Sequence, residues 1–97
     1  MKFSVRLTDS AIEDLDYFRK SERKIISDGI ALFLTHDAKV ETRRRKALRP
    51  NPLAPWELRI EDYRMFFDIE GDDEVKIIAV GHKEHNHLYI RGKKVEL

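Results

Sequence analysis

Cysteine is missing from all 97 residues. That excludes a disulfide framework, a thiolate zinc site and a cysteine nucleophile. Long apolar runs are missing too: none approaches the roughly 18 residues of a membrane-spanning helix. The opening residues, MKFSVRLTDS, lack the apolar core of a secretory signal. A cytoplasmic protein without a membrane partner is therefore expected. An excess of one charge sign is also absent, because 19 basic residues nearly cancel 18 acidic ones. Disorder requires low hydrophobicity with high net charge, and a chain 41% hydrophobic with a net charge of +1 has neither. Its length fits one folded unit, residues 1–97, since domains commonly run about 100–150 residues.

The balanced sum conceals an uneven distribution. Residues 9–38 hold seven acids and four bases, whereas KVETRRRKALR at 39–49 holds six bases and one acid. Residues 65–80 turn acidic again, with five acids and one base. A polyanion responds to local potential, so such a chain can still present a basic stripe.

Hydrophobic periodicity gives the elements. Residues 2–7 alternate, with Phe3, Val5 and Leu7 on one face, as a strand does. Ser10 and Glu13 fit a capping box opening a helix, with Thr8 and Asp9 as alternative caps. Ile12, Leu15 and Phe18 supply its helical spacing. A second helix is expected from Ser21, with Ile26, Ile30 and Phe33 as its buried stripe and Gly29 at a close approach. Pro50, Pro52 and Pro55 then forbid a helix and leave an extended connector. RRRKAL, just before it, reads equally as a helix end or a loop. Trp56, Leu58 and Ile60 alternate, YRMFFDIE at 63–70 is aromatic and β-branched, and EVKIIAVGH at 74–82 forms a third strand after the Gly71-Asp72-Asp73 turn. Residues 85–89 are open to a helix, a turn or another strand. The order β-α-α-β-β-β predicts an α+β fold, with two N-terminal helices packed on one face of a mainly antiparallel sheet.

Three clusters are candidates for chemistry. The first is the basic run Lys39, Arg43, Arg44, Arg45, Lys46 and Arg49, suited to phosphate contact or to a solvated charge surface. The second is Arg59 and Arg64 on adjacent strands, where a guanidinium could bind phosphate bidentately or pair with Asp68 or Glu61. The third is GHKEHNHLY at 81–89, with three of the chain's four histidines. His82, His85, Lys83 and Tyr89 there offer proton transfer, electrostatic stabilisation and base stacking. The same stretch also reads as a polar turn, or as a metal site from His82, Glu84, His85 and His87 without the HExxH spacing.

On these residues, NPLAPWELRIEDYRMFFDIEGDDEVKIIAVGHKEHNHLYIRG (residues 51–92) resembles the RelE/ParE superfamily of bacterial toxin–antitoxin toxins. The resemblance rests on an L-R-x-x-x-Y-R-x-x-[FY] strand, here Leu58-Arg59, Tyr63-Arg64 and Phe67. It rests also on a V-G-x-[KR]-x-x-x-x-Y strand end, here Val80-Gly81, Lys83 and Tyr89. The basic residues and the tyrosine near the chain end favour the RelE side. The resemblance implies a RelE-like fold and a ribosome-dependent mRNA endoribonuclease, needing no metal or cofactor, with the ribosome, mRNA and a cognate antitoxin as partners in a hetero-oligomer. It implies that Arg64 stabilises the phosphorane, that Lys83 stands where relatives carry an arginine, that Tyr89 stacks or shapes the nucleophile, and that His82 and His85 fill basic positions, with His85 the acid or base. Arg59, Arg43, Arg44, Arg45 and Lys46 are the expected RNA contacts. Leu53, Trp56 and Phe66 are expected as exposed apolar contacts for the antitoxin, or as core. Two departures stand out: Glu57 and Pro55 replace residues that are basic in the RelE branch. They keep open a gyrase-binding toxin without nuclease activity, and a non-toxic binding module.

Overall fold

A computed structural model describes residues 2–97. The strands are β1 (Ser4–Leu7), β2 (Arg45–Ala47), β3 (Trp56–Ile60), β4 (Tyr63–Glu70), β5 (Glu74–Glu84), β6 (His87–Ile90) and β7 (Lys93–Val95). Helices α1 (Asp9–Asp16) and α2 (Lys20–Leu34) follow β1. Strands β2 to β7 are neighbours in chain order, each antiparallel to the last, as short loops require. The expected α+β architecture is present. Three short strands extend the expected meander: RKA becomes β2, and the residues after 86 become β6 and β7.

Tight turns set the register. Strands β5 and β6 are joined by His85 and Asn86 alone, at φ 52° and 67°, the backbone of a type I′ hairpin. Arg91 and Gly92 repeat this between β6 and β7, at φ 50° and 75°. Asn and Gly tolerate positive φ well, and His is among the residues enriched there.

The long β5 has different partners on its outer edge. Its first part pairs with β1 in parallel, up to Leu7 against Ile77, and its last part pairs with β6 from His82 onward. Between them α1 takes the place of a strand. Thr8 donates its N–H to the Ile77 carbonyl (3.0 Å) and its hydroxyl to that of Ile78 (3.2 Å). Asp14 Oδ2 accepts the Val80 N–H at 3.0 Å, and its Oδ1 lies 2.8 Å from Arg91 Nε. Asp14 is only 1% exposed, and burial raises its pKa despite the Val80 and Arg91 contacts that oppose the shift.

That task rotates α1 away from the expected stripe. Ala11, Asp14 and Phe18 are buried, while Ile12 is 47% exposed. Thr8 is the cap, its Oγ1 accepting from the Ala11 N–H at 3.1 Å, rather than Ser10. The second helix starts at Lys20, one residue before Ser21, with Glu22 accepting the Arg19 N–H at 3.1 Å. Gly29 faces Ile60 of β3: a Cβ there would stand 2.7 Å from Ile60 Cγ1. The close approach expected of this glycine is therefore to the sheet.

Strict alternation along β5 also fails. Phe66 pairs with Ala79 and Phe67 with Ile77, leaving Ile78 as the extra residue of a bulge. Val75, Ile77 and Val80 join the core under the helices, while Ile78 and Ala79 join a second cluster on the other face. Phe66, Leu88 and Ala54 complete that cluster, packed with Leu48 and Leu53 of the connector. The second face is thus partly covered. Phe66 is fully buried, and Trp56 stacks on Phe67 at 5.9 Å, so these two belong to core rather than to an exposed apolar contact.

Candidate functional site

The uncovered part of that second face carries the charged side chains. Alternation along β3 sends Trp56, Leu58 and Ile60 to the helices and Glu57 and Arg59 to the opposite side. Arg59 stands directly across from Arg64, a juxtaposition of like charges that is unfavourable on its own. Glu57 offsets it. Arg59 Nε donates to Glu57 Oε2 at 2.7 Å, and Arg64 Nε lies 3.8 Å from Glu57 Oε1. Glu57 is 4% exposed, so this carboxylate is held inside the protein by its two cations.

The Arg64 head is anchored by the chain as well. Its Nη1 donates to the carbonyls of Glu61 and Tyr63, each at 2.9 Å, tying the guanidinium to the β3–β4 turn. Its Nε is buried with no hydrogen-bond partner. Burial lowers the Arg64 pKa, Glu57 opposes that shift, and the neighbouring Arg59 adds to it. An arginine starts from so high a value that it stays a cation at neutral pH.

Arg59 and Arg64 share a polar cleft of about 390 Å³ with Asp62, Lys83, His85 and Asn86. An adjoining cleft, lined by Glu57, His87, Leu88 and the C-terminal residues, shares Lys83 and Asn86 with it. The hairpin turn is what carries His85 and Asn86 to this rim. A polyanion entering the first of these clefts meets three cations, the Asp62 carboxylate and an exposed imidazole.

His82 and Tyr89 lie elsewhere. They are cross-strand partners stacked at 5.5 Å, and the edge of Phe18 meets the His82 ring at 6.0 Å. That is the helix-bearing face, and His82 Nδ1 is buried there without a partner. The structure therefore brings Arg59, Arg64, Lys83 and His85 together and sends His82 and Tyr89 to the far side of the strand. Among the described residues no group of three His, Asp or Glu side chains is arranged to hold a metal ion. No helix among them is long and apolar enough to cross a membrane.

The basic run divides in the same way. Arg45 Nη1 donates to the Phe33 carbonyl at 2.7 Å and its Nε to that of Val40 at 2.9 Å, closing the end of α2. Arg44 lies over the Phe33 ring at 4.7 Å. These two have structural partners. Lys46 pairs with Glu57 across β2 and β3 and so shares the face of the cleft, while Arg43 is exposed just before β2. Asp62 and Asn86 were not singled out from sequence. Both sit in two-residue gaps between alternating strands, which is the pattern that would have marked them.

A family model described as the ParE toxin of type II toxin–antitoxin systems, parDE, matches residues 5–87. That span includes the cleft residues and stops short of Tyr89. A chain in the crystal structure of the toxin–antitoxin complex RelBE2 from Mycobacterium tuberculosis superposes with a TM-score of 0.69. It is 23% identical, and the match covers 86% of this chain and 100% of that one. At that identity the likeness is one of fold. No curated protein matches this chain in sequence.

Proposed function

The chain belongs to the ParE toxin family of type II toxin–antitoxin systems, and from that premise we propose that it is a toxin of the RelE-like kind, cutting mRNA on the ribosome. The observation that supports this reading is the single cleft shared by Arg59, Arg64, Lys83 and His85. Metal-free RNA cleavage asks for these groups. The 2′-oxygen attacks the neighbouring phosphorus, the 5′-oxygen leaves, and a cyclic phosphate remains. Extra negative charge on the pentavalent phosphorus is met by Lys83 and by Arg64, whose guanidinium is tied to the β3–β4 turn before the substrate arrives. His85 carries a proton to or from one of the two reacting oxygens. To Arg59, Lys46 and Arg43 we assign the contacts with the flanking phosphates. His82 and Tyr89 act from behind, by fixing the strand end that bears Lys83.

The partner of such a toxin is a cognate antitoxin protein, consistent with the complex in which the similar fold was solved. We place the pair in the cytoplasm, where ribosomes are.

Expression should arrest growth, and Arg64→Ala should relieve the arrest by lowering cleavage about 100-fold or more. His85→Ala should lower it by a similar factor. Mapping mRNA ends on ribosomes with the purified protein checks both. Full toxicity of both variants, with no new mRNA ends, would exclude the nuclease. One observation favours a second reading: Glu57 alone offsets two of the cleft's three cations. A toxin that binds DNA gyrase has no need of a strongly cationic cleft. A supercoiling assay separates the two, since inhibition at micromolar protein without RNA cleavage would establish the gyrase reading.

A further inference from the structure

A carboxylate beside the phosphate-binding cations repels the substrate, and its presence calls for an account. Glu57 is nearly fully buried, unlike the surface acids of the chain. It reaches both arginines of the cleft: Arg59 through a charge-assisted hydrogen bond of 2.7 Å, and Arg64 at 3.8 Å. Without it, Arg59 and Arg64 would be directly opposed cations on neighbouring strands, each driven to swing toward water. The Arg64 Nη1 is held by two carbonyls, but those bonds fix one end of the fork only. At the other end the Glu57 carboxylate lies 3.8 Å from Nε and attracts it by charge, without a hydrogen bond. We infer that Glu57 is a positioning residue: it sets the planes of the Arg59 and Arg64 guanidiniums so that they face one phosphodiester in common. Its charge weakens the attraction for RNA in general while preserving the orientation needed for turnover.

This inference rests on the nuclease reading, and it gives an unusual signature. Glu57→Gln keeps the shape of the side chain and removes its charge. Affinity for a 2′-O-methylated RNA oligomer, which cannot be cleaved, should rise several-fold. Single-turnover cleavage on ribosomes should fall by about 100-fold, the scale of a misplaced reacting group. The shape of the cleavage pH profile should stay that of the unmodified protein. In a chain already carrying Arg59→Lys and Arg64→Lys, the same substitution should cost less than about threefold, because the forks it orients are gone. An undiminished loss in that background, or a pH profile stripped of its acid limb, would overturn the inference by making Glu57 a group that acts by itself. Glu57→Asp serves as the second variant if thermal unfolding shows that Glu57→Gln is not folded; it should retain part of the activity.

A readout independent of catalysis keeps the two claims apart. In the free protein the Arg59 Nε–H should give a sharp, slowly exchanging NMR signal that Glu57→Gln broadens. If the signal is already averaged in the unmodified protein, the positioning role fails whether or not RNA is cut. If it behaves as expected and no RNA is cut, the orientation stands and the nuclease reading falls.

Discussion

Phe66 and Phe67 are consecutive on β4, both fully buried, and belong to different cores. Phe67 packs under two helices with the larger set of apolar side chains, while Phe66 packs under a connector and a hairpin. The first face is sealed by regular structure. The second is sealed only at one end, and at the other it opens into the cleft lined by Arg59 and Lys83, with Arg64 mostly buried in its wall. The contrast shows how one sheet separates stability from recognition by the direction in which a side chain points. It also explains why the His82 ring packs against Phe18 while its neighbour Lys83 reaches the cleft of Arg59 and Arg64.

Substitutions on the two faces test that separation. Phe67→Ala should cost about 3–5 kcal/mol of unfolding free energy, measured in urea. Phe66→Ala should fall toward the lower end, since the connector over it can settle into the cavity. Equal costs at the upper end would show that the second face is as rigidly sealed as the first.

Asp14→Ala comes next, at about 2–3 kcal/mol, because it leaves the buried Val80 N–H without its acceptor and removes one of the two carboxylates that hold Arg91, Glu13 being the other. The pH dependence has a definite sign. Burial raises the Asp14 pKa in the folded state above its ordinary 3.8. The associated stability is complete below that ordinary value and is lost as pH rises through the raised one. Unfolding curves of the unmodified protein and Asp14→Asn should therefore diverge over that window and run parallel above it.

Gly29→Ala gains about 1 kcal/mol in helix propensity but drives a methyl into Ile60, for a net loss of about 1–2 kcal/mol. A gain in midpoint instead would show that α2 can lift off the sheet freely. Smallest is Asp28→Ala, which removes an exposed Lys24–Asp28 pair and should cost no more than about 0.5 kcal/mol.

Much of this arrangement was readable in the residues. Alternation gave the directions of Trp56, Leu58 and Ile60, and the acid–glycine turn at 71 gave the hairpin between β4 and β5. Strands of three or four residues, such as β2 and β7, are too short for a period to show. The bulge at Ile78 shifts the phase of β5 by one residue, and nothing in EVKIIAVGH marks it. Asp14 was invisible because its burial depends on an unpaired stretch of a strand far along the chain. In the cleft, Arg59, Arg64 and Lys83 stood out as cations in strands. Glu57 read as a departure, and its role as their shared counter-ion needs the register of β3 against β4.

The docking of α1 against β5 also orders events in time. Strands β3 to β7 meet by local hairpins, whereas the Thr8 hydroxyl finds its carbonyl 70 residues away. Closing so long a loop is slow, and its entropy must be met before any contact compensates for it. The hairpin array should therefore assemble first, with β1 and α1 arriving last as the closing segment. Mixing experiments would show it: Thr8→Ala and Asp14→Ala should hasten unfolding while leaving the refolding rate nearly unchanged, and slowed refolding would place α1 in the nucleus instead.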